Sequence, residues 1–276
     1  MRLMKVIVFI ALTIAAVIGV VEVFCYFNIA KICTLIEQGN TQSAIQYIEN
    51  TPNVNRYSAP LWMRGAINNL FERDIQLPLV VACSAGNTEV VDVLLKQGAD
   101  PNRYLEENWS PMEAAIIGKS EMRLDVIKML LANGADVNQF GSQQSALFAE
   151  VQTLMFDHEV TSVELALTRD VITLLLENDV CLVEEDGTTL LHYLSYAGHL
   201  TLLDAFYPEC CQYLNAQNDR GQTPLMWAAR GGEISAAVWL MDNGANKDAL
   251  DLTGKTAYDY AAEKGYTEIA ELLRSD

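Results

Sequence analysis

Histidine is scarce in this chain, with three in 276 residues. No H-E-x-x-H, no G-x-S-x-G and no glycine-rich loop followed by a phosphate-binding lysine occurs. Metallohydrolases, nucleophile-elbow hydrolases and P-loop nucleotide enzymes each need one of those arrangements. The sequence therefore offers no catalytic residues and implies no cofactor or metal. The six cysteines, at 25, 33, 83, 181, 210 and 211, form no C-x-x-C pair, which removes the usual zinc and redox signatures. Cations are few as well: 18 Lys and Arg stand against 36 Asp and Glu, a net charge of −18. A chain so poor in basic residues cannot neutralise a run of phosphates, so nucleic acid is excluded as a partner. The same imbalance would steer a basic protein partner inward, although each carboxylate taken singly reads first as solvated surface.

Charge is almost missing from the start of the chain. Val6–Phe27 (VIVFIALTIAAVIGVVEVFCYF) contains one charged residue, Glu22. As a helix it would be about 33 Å long, enough for a hydrocarbon core of about 30 Å. We read residues 1–28 as an uncleaved signal anchor or transmembrane helix. A cleaved secretory signal competes with that reading, but no A-x-A site follows. A lipoprotein signal would use Cys25, and Phe24 before it is too large. Arg2 and Lys5 precede the span and only Lys31 follows closely, so the positive-inside rule exports the remainder. The expected location is a single-pass protein of the inner (plasma) membrane, facing the periplasm or the outside. Without residues 1–28 the chain holds 16 basic and 35 acidic residues, net −19.

What the chain has in quantity is repetition. TPLMWAARGGEISAAVWLMDNGAN (Thr223–Asn246) recurs as LPLVVACSAGNTEVVDVLLKQGADPN (Leu77–Asn102) and SPMEAAIIGKSEMRLDVIKMLLANGADVN (Ser110–Asn138). Further copies open at Thr188 and Lys255, and a worn one near Ser145 resumes at Asp170. The markers Pro78, Pro111, Ala146, Leu190, Pro224 and Ala257 are spaced by 33, 35, 44, 34 and 33 residues. Thr223 suits a helix N-cap and Pro224 its first turn. Leu225, Ala228 and Ala229 make one apolar stripe, Ile234, Val238, Leu240 and Met241 another, and Gly244 can end the second helix left-handed. Gly98 and Gly134 hold the same place. No unit can bury its own apolar face, so the units must stack.

A period near 33 with T-P-L-H-x-A-A and a closing G-A-D resembles the ankyrin-repeat family, over nearly everything after Asn28. Ala30–Asn55 reads as a first, atypical copy, giving about seven repeats over residues 29–276. The fold class is then all-α, a continuous solenoid of stacked helix pairs with hairpin loops. Two stretches depart from the pattern. Residues 56–76 are too long for a hairpin and carry Trp62 and Phe71. Val151–Arg169 adds roughly ten residues to one repeat, as either a partner-contacting insertion or a lengthened helix packed on its neighbour. Tyr207–Gln217, with adjacent Cys210 and Cys211, replaces one G-A-D ending; separate roles are expected for the two thiols, and Cys83 reads as a small core side chain.

The resemblance also assigns the histidines. His192 fills the H of T-P-L-H and is implied to bond between neighbouring loops; His199 follows Gly198 as in the family; His158 has no partner nucleophile. Glu106-Glu107 and Glu184-Glu185-Asp186 fall in hairpins and read as solvated charge. Asn108-Trp109-Ser110 is a sequon whose Ser110 already has a repeat role.

The residue after the motif's H is implied to face the concave, partner-binding side. Here it is Val81, Ala114, Ala149, Tyr193, Trp227 and Tyr260. The last three repeats thus present Tyr, Trp and Tyr in register, with Tyr196 and Arg230 one turn on. Aromatics and Arg dominate interface energetics; packing between repeats is the alternative role for these rings. Hairpin residues Tyr104, Trp109 and Phe140 are further candidates. The expected function is a membrane-anchored, monomeric, non-catalytic module that binds another protein. Some exported bacterial ankyrin proteins resemble immunity proteins that block lipase-type toxins of the type VI system. A scaffold of an envelope complex or of oxidative defence is the competing class, and an enzyme has no support.

Overall fold

The computed structural model describes residues 28–51, 77–103, 109–118, 120–139, 145–156 and 160–274. The expected span Val6–Phe27 and the long connection 56–76 lie outside them. Among the described residues no helix is long and apolar enough to cross a membrane. The chain divides into two compact units, Met1–Ser142 and Gln143–Asp276.

The first unit holds three helix pairs among its described residues. Helix α1 covers residues 28–37 and is followed by α2 (Thr41–Asn50). The next pairs are α3 (Pro78–Ser84) with α4 (Thr88–Lys96), and α5 (Pro111–Ile117) with α6 (Arg123–Ala132). Each start is set locally. Pro78 and Pro111 occupy the first turn, where no intrahelical partner for N–H is needed. Ser110 accepts from the Glu113 N–H at 3.2 Å while Glu113 accepts from the Ser110 N–H at 2.7 Å, a closed capping box. Asn87 caps α4 by accepting from the Val90 N–H at 3.2 Å, and its Nδ2 donates to Thr41 Oγ1 at 2.8 Å, tying two repeats. Helix α3 stacks on α5, α2 on α4, and α4 on α6.

The second unit holds four pairs: α7 (Ala146–Phe156) and α8 (Ser162–Leu176), α9 (Leu190–Ala197) and α10 (Leu200–Cys210), α11 (Pro224–Gly231) and α12 (Ile234–Asp242), α13 (Ala257–Lys264) and α14 (Thr267–Leu273). First helices stack in the order α7, α9, α11, α13, and α10, α12 and α14 stack behind them. All six sequence markers are the first residue of a first helix. The fifth residue of those helices, Ala82, Ala115, Glu150, Leu194, Ala228 or Ala261, is fully buried in every case. In α12 the buried face is Ala236, Ala237 and Leu240, whereas Val238, expected inside, is 36% exposed.

The described residues of Val151–Arg169 are helical at 151–156 and 162–169. Helix α7 has 11 residues against 7 or 8 in the other first helices for which bounds are set, and α8 has 15 against 7 to 11 in the other second helices. The lengthened-helix reading therefore holds for the described part of the insertion; His158 lies outside it. The extension has a task, because Glu150 stands where other repeats have a small or aliphatic core residue. Thr168, buried on α8, donates to Glu150 Oε1 at 2.8 Å. A carboxylate in a core is costly unless hydrogen-bonded. The Tyr207–Gln217 stretch carries α10 through Pro208 to Cys210, and Cys211–Tyr213 form a 3-10 turn. Cys210 is buried and Cys211 exposed, both free thiols; Cys83 is fully buried.

Gly98, Gly134 and Gly244 each follow a second helix with φ of 80°, 84° and 93°. A Cβ on Gly244 would meet nothing closer than Leu214 Cδ2 at 4.0 Å, so the constraint is backbone conformation, not space. Replacing Gly244 by Val should cost roughly 1 kcal/mol or more, since a β-branched residue resists positive φ. Thermal or urea unfolding measures it, and an unchanged midpoint would contradict the left-handed turn.

Candidate protein-binding face

Tyr193, Trp227 and Tyr260 are each the fourth residue of α9, α11 and α13. Equal position on stacked helices brings them to one side. The Tyr193 and Trp227 rings lie 5.3 Å apart at 64°, and Phe148 of α7 lies 5.1 Å from Tyr193. Tyr196 adds an edge contact to Trp227 at 6.1 Å, and His192 another at 5.5 Å. Such pairs contribute about 0.5–1.5 kcal/mol each beyond burial.

The polar tips are tied to the hairpins. Gln222, buried just before the α11 cap, accepts from Trp227 Nε1 at 3.2 Å and donates from Nε2 to Tyr260 Oη at 2.7 Å. The Tyr260 hydroxyl donates to Asp251 Oδ2 at 2.6 Å. Burial pushes the Asp251 carboxyl up, but hydrogen bonds from Tyr260, Lys255 and Thr253 outweigh it and hold the group at about 2. The Tyr193 hydroxyl donates to Glu184 Oε2 at 2.9 Å. Glu184 is thus half-buried and bonded rather than simply solvated, and burial raises its pKa. Burial, then the Glu184 carboxylate, raises that of Tyr193.

His192 performs the loop-to-loop role. Its Nδ1 accepts from the Thr189 N–H at 3.1 Å and its Nε2 faces the Gln222 carbonyl at 2.9 Å. A carbonyl accepts only, so the proton sits on Nε2 and the ring is neutral. Gln222 therefore joins His192, Trp227 and Tyr260. The motif match did not single it out; the available signal was its place beside the cap, between two ring positions.

The candidate residues differ in exposure. Tyr193 is only 6% exposed and serves mainly as packing. Trp227, Tyr196 and Tyr260 are half-buried, and Arg230 is exposed with no ion pair among the described residues. Val81, Ala114 and Ala149, at the same register, are buried and small or aliphatic. Trp109 is 44% exposed but belongs to the other unit. Tyr104 and Phe140 lie outside the described residues. Among the described residues no three His, Cys, Asp or Glu side chains are placed to hold a metal ion. Trp227 and Tyr196 thus form a partly exposed aromatic contact, with Tyr260 joined to Trp227 through Gln222 and the exposed Arg230 on the Trp227 helix.

Burial lowers the His192 pKa to about 4, against the pull of the Gln222 carbonyl and Asp186. An unfolded imidazole titrates near 6.5, so between those values the unfolded chain binds a proton that the folded chain refuses. Stability is therefore highest above pH 6.5 and falls as pH drops toward 4, by something on the order of 3 kcal/mol from this residue. Urea midpoints across that range should show the slope, and His192→Asn should flatten it; equal slopes in both proteins would refute the neutral buried ring.

Comparison with known proteins agrees with the repeat architecture. A family model described as "Ankyrin repeats (3 copies)" matches residues 14–140 and 200–276. Protein VAPYRIN-LIKE of Medicago truncatula is 30% identical over 196 residues, 70% of this chain, and the match spans 39% of that protein's length. The human ASB11 ankyrin repeat domain superposes with a TM-score of 0.65 at 20% identity, covering 89% of this chain and 98% of that one. A chain from the complex of the Bdellovibrio bacteriovorus predatory endopeptidase Bd0816 with immunity protein Bd3460 superposes at 0.58 with 22% identity, covering 71% and 95%. Repeat period, cap chemistry, inter-hairpin histidine and family match all converge: the chain belongs to the ankyrin-repeat family, whose stacked repeats form a protein-binding module.

Proposed function

We propose that this chain is a non-catalytic inhibitor of another protein, in the manner of an immunity protein that masks a secreted enzyme toxin, with a lipase-type toxin as the target class. The observation that carries the reading is the set Trp227, Tyr196, Tyr260 and Arg230, partly or fully accessible on the first-helix side, in which Gln222 ties the Trp227 and Tyr260 tips together. Ordering the rings before contact lowers the entropic cost of binding. A related fold occurs in a complex of an endopeptidase with an immunity protein, which supports the class by analogy of fold. Residues 6–27 hold the module at a membrane in this reading, with the repeats on the exported side.

The full chain used as bait should retain one partner enzyme and abolish its activity at equimolar ratio. Arg230→Ala should then weaken the complex by about 2 kcal/mol or more, as truncating an interface Arg does, while stability stays within about 0.5 kcal/mol because the side chain is exposed. Trp227→Ala should lower both affinity and stability, the latter by roughly 1–3 kcal/mol, because its indole also packs on Tyr193 and Tyr196. Unchanged affinity in both variants would remove this face from the reading, and retention of a multi-protein envelope assembly without inhibition would favour a scaffold.

The membrane part has its own test. Alkaline phosphatase fused to the C-terminus should be active, and a reporter that works only in the cytoplasm should be silent. The opposite pattern would reverse the orientation, and a mature N-terminus beyond residue 25 would replace the anchor by a cleaved signal.

A further inference from the structure

Helices α10 and α12 stack on each other and bury Leu202, Leu203 and Phe206 on one, Ala236, Ala237 and Leu240 on the other. Away from that buried side the two helices carry a second pair of rings. Tyr207 and Trp239 meet edge to face, with centroids 4.9 Å apart at 85°, and both are half-buried. The Trp239 Nε1 donates to Asp204 Oδ1 at 2.6 Å. Asp204 is itself exposed, and its Oδ2 accepts no hydrogen bond among the described residues.

The repeat does not require these rings. Trp239 stands where the repeat before it has Ala205 and the repeat after it has Leu272, 34 residues earlier and 33 later. Next to it Val238 is 36% exposed. Rings that meet at a right angle leave a corner walled by two π faces, here with a carboxylate at the indole edge.

Charge selects the occupant. The acids of α10 and α12 are Asp204, Glu209 and Asp242, and neither helix contains Lys or Arg. All three are exposed, and none makes an ion pair among the described residues. Elsewhere the chain supplies its own cation: Lys96 for Asp92, Arg169 for Asp170, Lys255 for Glu263. Residues 143–276 carry 22 of the chain's 36 acidic residues and 7 of its 18 basic ones, net −15. A second copy of the chain, or any anionic surface, is therefore repelled. A cation is attracted both by the ring faces and by the carboxylates. Arginine fits better than lysine, because a planar guanidinium lies flat on a ring while its N–H fork reaches an acid.

We propose that Asp204, Tyr207 and Trp239 form a second docking site, separate from the first-helix side, for an arginine on a basic segment of a partner protein. The guanidinium lies against the ring pair and donates to Asp204 Oδ2, and a further cation of the segment lies toward Asp242.

The probe is the peptide acetyl-Gly-Arg-Gly-Arg-Gly-amide, titrated into the full chain and followed by NMR shifts of the Trp239 indole N–H and the Val238 amide. Saturable binding is expected, at least about fivefold weaker for the lysine peptide and absent for the uncharged citrulline peptide. Asp204→Asn keeps an acceptor for the indole but removes the charge; it should weaken binding at least about fivefold with the thermal midpoint retained. Trp239→Leu, which installs the residue of the following repeat, should abolish the Val238 shift. Arg230→Ala should leave peptide binding unaltered, which keeps this result independent of the first-helix side. No saturable shift in the unmodified chain overturns the proposal. So does equal affinity for the arginine and lysine peptides together with indifference to Asp204→Asn, the mark of attraction to net charge alone. Binding that survives Trp239→Leu overturns it as well.

Discussion

Every repeat in this protein is incomplete without its neighbour. A first helix of 7 or 8 residues is too short to persist in water, and its buried side is covered by its own second helix and by the neighbouring first helices. Stability is then close to a sum of nearest-neighbour terms. The details follow from that dependence. Small residues such as Ala228 and Ala261 sit where helices must approach, and Asn and His side chains bond across repeats. Asn102 Nδ2 donates to the Gly134 carbonyl at 2.8 Å, and Asn215 Oδ1 accepts from the Asn246 N–H at 2.8 Å. The candidate binding face is a by-product of the same stacking, since only aligned repeats bring Tyr193, Trp227 and Tyr260 to one side.

Much of the helical frame was legible in the sequence, because its signals are local. Thr or Pro at a helix start and Gly after a helix end act within a turn, and the spacing of those signals located six first helices. The registers that failed depend on long-range contact. Val238 reads as core in a hydrophobic pattern, yet the buried side of α12 is set by the helices packed around it, α11 above all, and Ala236, Ala237 and Leu240 are the residues buried there. The Val151–Arg169 surplus could not be assigned from sequence because a helix extension and a loop insertion have the same length. Burial of Glu150 beside Thr168 decides for helix and depends on packing between α7 and α8.

The site was half legible. Register alone placed the three aromatics on one side, and period is a sequence property. Their division of labour was not: Tyr193 lies under its neighbours and Trp227 stays half open, which depends on Phe148 and Tyr196 filling the space beside them. Gln222 escaped notice because it matches no motif position. Its importance comes from two side-chain bonds and one carbonyl bond to residues 5, 38 and 30 positions away.

The uneven distribution of acid between the two units has a consequence for ionic strength. In the second unit, carboxylates at net −15 repel one another across a stack only a few helices long, and the repulsion is screened over about 8–10 Å at physiological salt. Added salt therefore tightens the stack by relaxing that self-repulsion. The same salt slows the approach of any cationic protein, because steering relies on the unscreened field. Folding and capture respond to salt with opposite signs, so a dilute medium favours fast encounter at some expense of rigidity, and a concentrated one the reverse.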